Sequence, residues 1–239
     1  MRISWRIGRF RNDRRVVLLI VALGLALAGR VWLEANPQHN PWAPLDLRHP
    51  PGWATDAKLR ALAEDVAACR AVLTRSQVDF AQLPPEGEGA CRREDRTRLT
   101  GFPLRPDSPP VTCPAAVSLE LWQRTVLDPA AAEIFGSRIA SIIHYGAYSC
   151  RRLYARDDGP WSEHATGNAI DIAAFTLADG TEISVLRDWQ GTGDKSRFLR
   201  RARDGACKSF ATVLSPDYNA AHRDHFHLDM SRRWSGVCR

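Results

Sequence analysis

The strongest hydrophobic signal in the chain comes first. Residues 16–29, VVLLIVALGLALAG, form an unbroken apolar run behind six arginines, and Arg30 interrupts it before Val31, Trp32 and Leu33. A basic flank stays on the cytoplasmic side, so this order predicts that the rest of the chain is exported. Two fates of the segment stay open. It is an uncut anchor if residues 31–33 bring it towards the roughly 20 apolar residues of a span and Arg30 reaches the headgroups. It is a signal peptide if the small-x-small site Ala26-Leu27-Ala28 is cut. Residues 36–54 then carry five prolines and no apolar period, as expected of an extended linker or wrapping segment.

From residue 55 the periodicities change twice. Leu59, Leu62, Val66, Ala67 and Cys69 recur at helical spacing and predict a helix over 55–76, with Thr55 able to cap it. Residues 83–95 are a loop. Residues 114–136 read as two helices, the second opened by Pro129. Beyond them the strand period dominates: 138–149, 169–175, 181–186 with a turn at 178–180, 211–214 and 225–230 are predicted strands, and 195–210 a helix. Helices followed by strands predict an α+β domain over 55–239, its sheet mainly antiparallel.

Composition changes the picture in two places. The net charge of +6 resides wholly in residues 1–30, with seven arginines against one aspartate, and the remainder balances 26 basic with 26 acidic side chains. The basic character therefore belongs to the amino terminus and predicts no nucleic-acid partner. Six cysteines, at 69, 91, 113, 150, 207 and 238, all follow the apolar run. An even count in an exported chain predicts disulfides. Proximity in sequence suggests 69–91, 113–150 and 207–238.

Candidate chemistry gathers in two stretches. In SEHATGNAID (162–171), a strand at 169–173 puts Ala169, Asp171 and Ala173 on one face and Ile170 and Ile172 in the core. Gly167 permits a sharp turn that returns His164 above Asp171. In HRDHFHLD (222–229), His225, His227 and Asp229 share one face of a strand. His164, Asp171 and one of the two HFH histidines supply the three protein ligands of a catalytic zinc, with Asp224 or His225 as candidate general base. Asp229 is expected to be a structural hydrogen-bonding group, His222 and His144 ordinary polar residues, and Trp161 either a cleft wall or core.

Ser162-x-His164-x-x-Gly167-x-Ala169-x-Asp171 with His225-x-His227 resembles the zinc D-Ala-D-Ala metallopeptidase superfamily, which includes D,D-carboxypeptidases, murein endopeptidases and the hedgehog signalling domain. GAYSCR (146–151), SEHATGNAIDIAAF (162–175) and VLSPDYNAAHRDHFHLD (213–229) are similar to the bacterial extensin-like C-terminal domain family, a likeness covering about residues 55–239. The resemblance implies Zn2+ held by His164, Asp171 and His227. It implies His225 as base with Asp224 orienting it or sharing the role, Arg151 as an oxyanion or carboxylate partner, and Tyr148 and Ser162 near the substrate. The substrate implied is a peptidoglycan peptide, met in the periplasm by a domain tethered to the inner membrane. Asp224 stands where some relatives carry a glutamate. That departure leaves a second reading open, a zinc-stabilised wall-binding or scaffold protein.

Overall fold

A computed structural model describes residues 11–231 and 236–239; most of the basic flank lies outside them. In helix α1 (Arg11–Ala35) no residue of the stretch Asp13–Ala35 is buried, and that stretch has a mean hydropathy of 2.4. It is long and apolar enough to span a membrane or to serve as a signal segment.

Residues 36–54 wrap the domain. Leu45 and Leu47 are buried in the core; the Leu47 amide donates to Ser76 Oγ (2.9 Å) and Arg75 Nη1 to the Leu45 carbonyl (3.0 Å). Arg48 pairs through two nitrogens with Asp46 and holds that carboxyl down at about 2, against the opposing effect of its burial. Leu47→Ala should therefore cost about 2–5 kcal/mol in denaturant unfolding. A loss below about 0.5 kcal/mol would mean that the segment hangs free.

The stretch expected as one helix is two, α2 (Thr55–Ala61) and α3 (Val66–Arg75), joined by a short turn. Asp65 causes the break, because its extended backbone and its carboxylate, which accepts from the Ala68 amide, cap α3 afresh. Thr55 does not cap α2; it lies in the first turn and accepts from the Gly52 amide. A hairpin of β1 (Phe80–Leu83) and β2 (Arg96–Leu99), and the short β3 (Leu104–Arg105), flank the region read as loop. The two helices expected over 114–136 are α4 (Cys113–Trp122) and α5 (Asp128–Phe135), running on through a π turn at Gln123–Leu127. Nearly every residue of α4 is buried, and Trp122 packs edge-on against Phe175 and Phe210 while its indole donates to the Ala202 carbonyl.

The sheet comprises β3, β4 (Ile139–Gly146), β5 (Ala169–Leu177), β6 (Glu182–Ser184), β7 (Thr212–Leu214), β8 (Phe226–Asp229) and β9 (Val237–Cys238). Its order is β3-β4-β5-β8-β7-β9, with β6 paired to β5. The domain is α+β as expected, but the sheet is mixed: β3 runs parallel to β4 and β9 parallel to β7. Both parallel pairs lie at the sheet edges and involve strands too short to carry a periodic signal. Residues expected to continue β6 instead form α6 (Val185–Asp188), capped by Ser184 Oγ. Helix α7 (Asp194–Ala206) buries Phe198, Leu199, Ala202 and Ala206.

The disulfides are Cys69–Cys113, Cys91–Cys150 and Cys207–Cys238. Only the last matches the expected pairing. Packing decides the other two: α3 lies on α4, bringing Cys69 to Cys113, and the turn Gly89–Cys91 lies against the turn Glu163–Thr166, bringing Cys91 to Cys150.

Candidate metal centre

Three elements deliver three side chains to one point. Asp171 on β5 and His227 on β8 are direct cross-strand partners, and in this register neighbouring Ile170 and Ile172 pair with Leu228 and Phe226 on the buried face. His164 arrives from the turn Glu163–Thr166, capped at its start by Ser162 Oγ, which accepts from the His164 amide. Gly167 ends that turn at φ +72°, where a Cβ would be strained and would meet the Pro110 carbonyl at 3.4 Å. This is the bend that carries the chain from His164 into β5.

The atoms that face one another are His164 Nε2, Asp171 Oδ1 and His227 Nδ1. Their separations are 3.2 Å (His164–Asp171), 3.0 Å (His164–His227) and 3.0 Å (His227–Asp171). The remaining ring nitrogens are engaged. His164 Nδ1 lies 3.3 Å from the Ala147 carbonyl and His227 Nε2 lies 2.9 Å from Asp229 Oδ2. A carbonyl and a carboxylate only accept, so each of these nitrogens carries the hydrogen and donates. What is left is three lone pairs converging, an arrangement that demands a proton or a cation among them. The proton version of this demand is visible at His227. Burial alone would push its pKa down, but Asp171 and Asp229 outweigh burial and hold it up at about 9. Burial opposes ionisation of Asp171 too, yet the two histidines hold its carboxyl well below the usual carboxylate range.

The donor set fits zinc. Two imidazoles and a carboxylate are its usual catalytic ligands, and bonds of 2.0–2.1 Å at tetrahedral angles place ligand atoms about 3.3 Å apart. The spacing found here is close to that before any rearrangement. Asp229, which holds His227 Nε2, would be the outer carboxylate that fixes the imidazole if a metal were bound, and it also accepts from the Ser231 amide. Asp229→Asn should lower zinc affinity about 10–100-fold, read by competition with a chromophoric chelator; an unchanged affinity would mean that Asp229 does not set the orientation of His227.

His225 stands beside the cluster. Its Nδ1 lies 2.9 Å from Asp224 Oδ1 and its Nε2 3.6 Å from Asp171 Oδ1. A proton on Nδ1, donated to Asp224, leaves Nε2 as a lone pair turned towards the three ligand atoms. Asp224 thus orients His225 and stands behind it. Tyr145 packs edge-on against the His225 ring at 5.8 Å.

His222, expected to be an ordinary polar residue, lies beside the cluster. Its ring centroid lies 5.2 Å from that of His225 and 6.0 Å from that of His227, and its Nδ1 bonds Asn219 Oδ1. Burial, then the neighbouring histidines, push its pKa down to about 4, so it is neutral near pH 7. Nothing in the HxH spacing signals it, because it belongs to the short turn Ala220–His222 before the strand.

Tyr148 and Arg151 follow β4 in the chain, and the neighbouring Ser149 amide donates to the His164 carbonyl. The exposed Tyr148 ring lies against the Arg93 guanidinium, 3.9 Å from it. Arg151 shapes the loop through its backbone, donating to the Ser149 carbonyl and accepting from the Ser162 amide, while its side chain is exposed. Ser162 is at the site, as the cap of the His164 turn and in the wall of a cavity of about 300 Å³ that opens on His227 and Asp229. Trp161 walls that cavity. His144 lies outside, with Nε2 against the Asp107 carbonyl at 3.0 Å.

Residues 67–239 match the family described as extensin-like protein C-terminus. No curated protein and no solved structure matches the chain.

Proposed function

This chain belongs to the extensin-like C-terminal family, and we propose that it is a zinc-dependent peptidase acting on peptidoglycan peptides in the periplasm, tethered to the inner membrane by α1. The observation that carries the reading is the convergence of His164 Nε2, Asp171 Oδ1 and His227 Nδ1, 3.0 to 3.2 Å from one another. The HxxGxAxD and HxH resemblance to the zinc D-Ala-D-Ala metallopeptidases supplies the reaction class.

His164, Asp171 and His227 would hold the metal. Bound zinc supplies Lewis acidity and a water that is acidic enough to attack at neutral pH. His225 Nε2 takes the proton of the attacking water and returns it to the leaving amine. Asp224 holds the tautomer that makes this possible and stabilises the imidazolium while it exists, as a carboxylate behind a catalytic histidine does. Ser162 keeps His164 in place by capping its turn. The ordered pair His225–Asp224 favours an enzyme over a scaffold, since an oriented base beside a zinc site adds nothing to passive binding.

The test is digestion of purified peptidoglycan by wild type and by His227→Ala, followed by muropeptide profiling. New products with wild type alone support the proposal. Profiles matching untreated wall in both, with one zinc per wild-type chain, would leave the scaffold reading standing.

A further inference from the structure

Exposed tryptophan is concentrated where the chain leaves α1. Trp32, near the end of that helix, is 49% exposed, Trp42 82% and Trp53 63%. The other tryptophans among the described residues, 122, 161 and 189, are buried or half-buried. The exposed tyrosines have other surroundings: Tyr145 packs on His225, Tyr148 on Arg93, and Tyr154 and Tyr218 line the cavity beside His227.

Two of the three tryptophans are coupled through His39. Its ring stacks with Trp32, centroids 5.3 Å and planes 18° apart, and with Trp53, at 5.9 Å and 24°. The Trp53 amide donates to His39 Nδ1 (3.3 Å). Asn36 Nδ2 donates to the Trp32 carbonyl (2.8 Å) and the His39 amide to the Asn36 carbonyl (2.9 Å), so the chain leaves α1 in a closed turn. Lys58 Nζ on α2 donates to the Pro37 carbonyl (2.7 Å), and Gly52 lies so close to the Gln38 backbone that a Cβ there would clash. Leu45 and Leu47 then enter the core. These contacts fasten the end of α1 to the domain. A free proline-rich segment over 36–54 would let the domain range about 60 Å from the membrane; the packed one holds it close.

We propose that Trp32, Trp42 and Trp53 form a collar seated in the headgroup layer on the exported side of the membrane that α1 spans, so that the domain rests on the phospholipid surface in one orientation. The inference rests on the tether proposed above and is independent of the peptidase chemistry. Continuity names the occupant, because Trp32 lies at the end of the apolar helix and the stack couples Trp53 to it. Indole suits that layer, with an apolar body for the acyl boundary and an N–H for the wet headgroups. Trp42 stands in the turn Asn40–Ala43, where its amide donates to Asn40 Oδ1 (3.0 Å) and the Ala43 amide to the Asn40 carbonyl (3.2 Å). A bilayer covers the indole that this turn otherwise leaves to water. The collar sets the height of the metal cluster above the membrane.

The experiment uses the full-length protein reconstituted into phosphatidylethanolamine–phosphatidylglycerol vesicles, with and without brominated acyl chains, which quench indoles that touch them. Flotation first shows whether the protein stays with the vesicles. The emission of each residue is read as the difference between wild type and Trp42→Phe, Trp53→Phe or Trp161→Phe. Trp42 and Trp53 are exposed, so their replacements should fold, which circular dichroism checks. The emission assigned to Trp42 and to Trp53 should be lost in brominated vesicles, and that assigned to Trp161 should not change. Protein that floats while Trp42 and Trp53 keep their emission overturns the collar and leaves the tether intact. Unquenched tryptophans with concentration-dependent cross-linking between chains would assign the patch to a second copy and overturn the collar equally. Protein that does not float overturns both.

Discussion

His227→Ala should leave a folded protein that holds no zinc at micromolar concentrations and cleaves no peptide. His227 is half-buried and faces the cluster, while Phe226 and Leu228 on either side of it are buried and keep β8 in the core. The change therefore removes a ligand without removing the strand. It also strips Asp229 of the hydrogen bond it makes to the imidazole and Asp171 of one of its two histidine partners. Loss of an outer partner alone costs 10–100-fold in metal affinity, so loss of a ligand should cost at least about 100-fold. Activity should fall by at least about 1,000-fold, because the nucleophile and the carbonyl activation disappear together. Metal analysis after gel filtration and circular dichroism of the same sample separate loss of the ion from loss of the fold. Wild-type zinc content in this variant would remove His227 from the ligand set.

His225→Ala should show the opposite split. Zinc content should stay at the wild-type level, because His225 Nε2 lies 3.6 Å from Asp171 Oδ1 and outside the triangle of roughly 3 Å contacts. The chemical step should slow by about 100- to 10,000-fold, the usual contribution of a positioned general base. KM should change little. Asp224→Asn should produce a smaller fall in kcat, since an amide can still meet Nδ1 but neither enforces the tautomer nor balances the imidazolium charge. Loss of zinc on replacing His225 would make it a ligand and would return the search for a base to Asp224. The neighbouring His222, neutral and held by Asn219, would then need the same test.

Much of this arrangement was legible in the sequence because it rests on short-range geometry. The alternation Ile170, Asp171, Ile172 already places the carboxylate opposite the core, and Phe226 and Leu228 do the same for His227. Gly167 marks the bend that returns His164. The register that sets Asp171 against His227 is a long-range pairing that a single strand pattern does not encode. The same limit explains the disulfides: nearness along the chain suggested Cys69 with Cys91, whereas the packing of α3 on α4 brings Cys69 to Cys113. It also explains the mixed sheet, whose parallel edges come from the two-residue β3 and β9. Tyr148 and Arg151 were expected near the substrate by resemblance alone; the Tyr148 ring lies against Arg93 and the Arg151 side chain is exposed. The cavity walls are scattered over 153–161, 212–218 and residue 237, and only the fold assembles them.

The central claim is that three lone pairs, on His164, Asp171 and His227, hold one zinc ion. The most direct measurement is the metal content of the full-length protein, purified without chelators and analysed by plasma mass spectrometry alongside Asp171→Ala. The account predicts one zinc per wild-type chain and none in the variant. A wild-type protein that remains metal-free after incubation with zinc and desalting would contradict it.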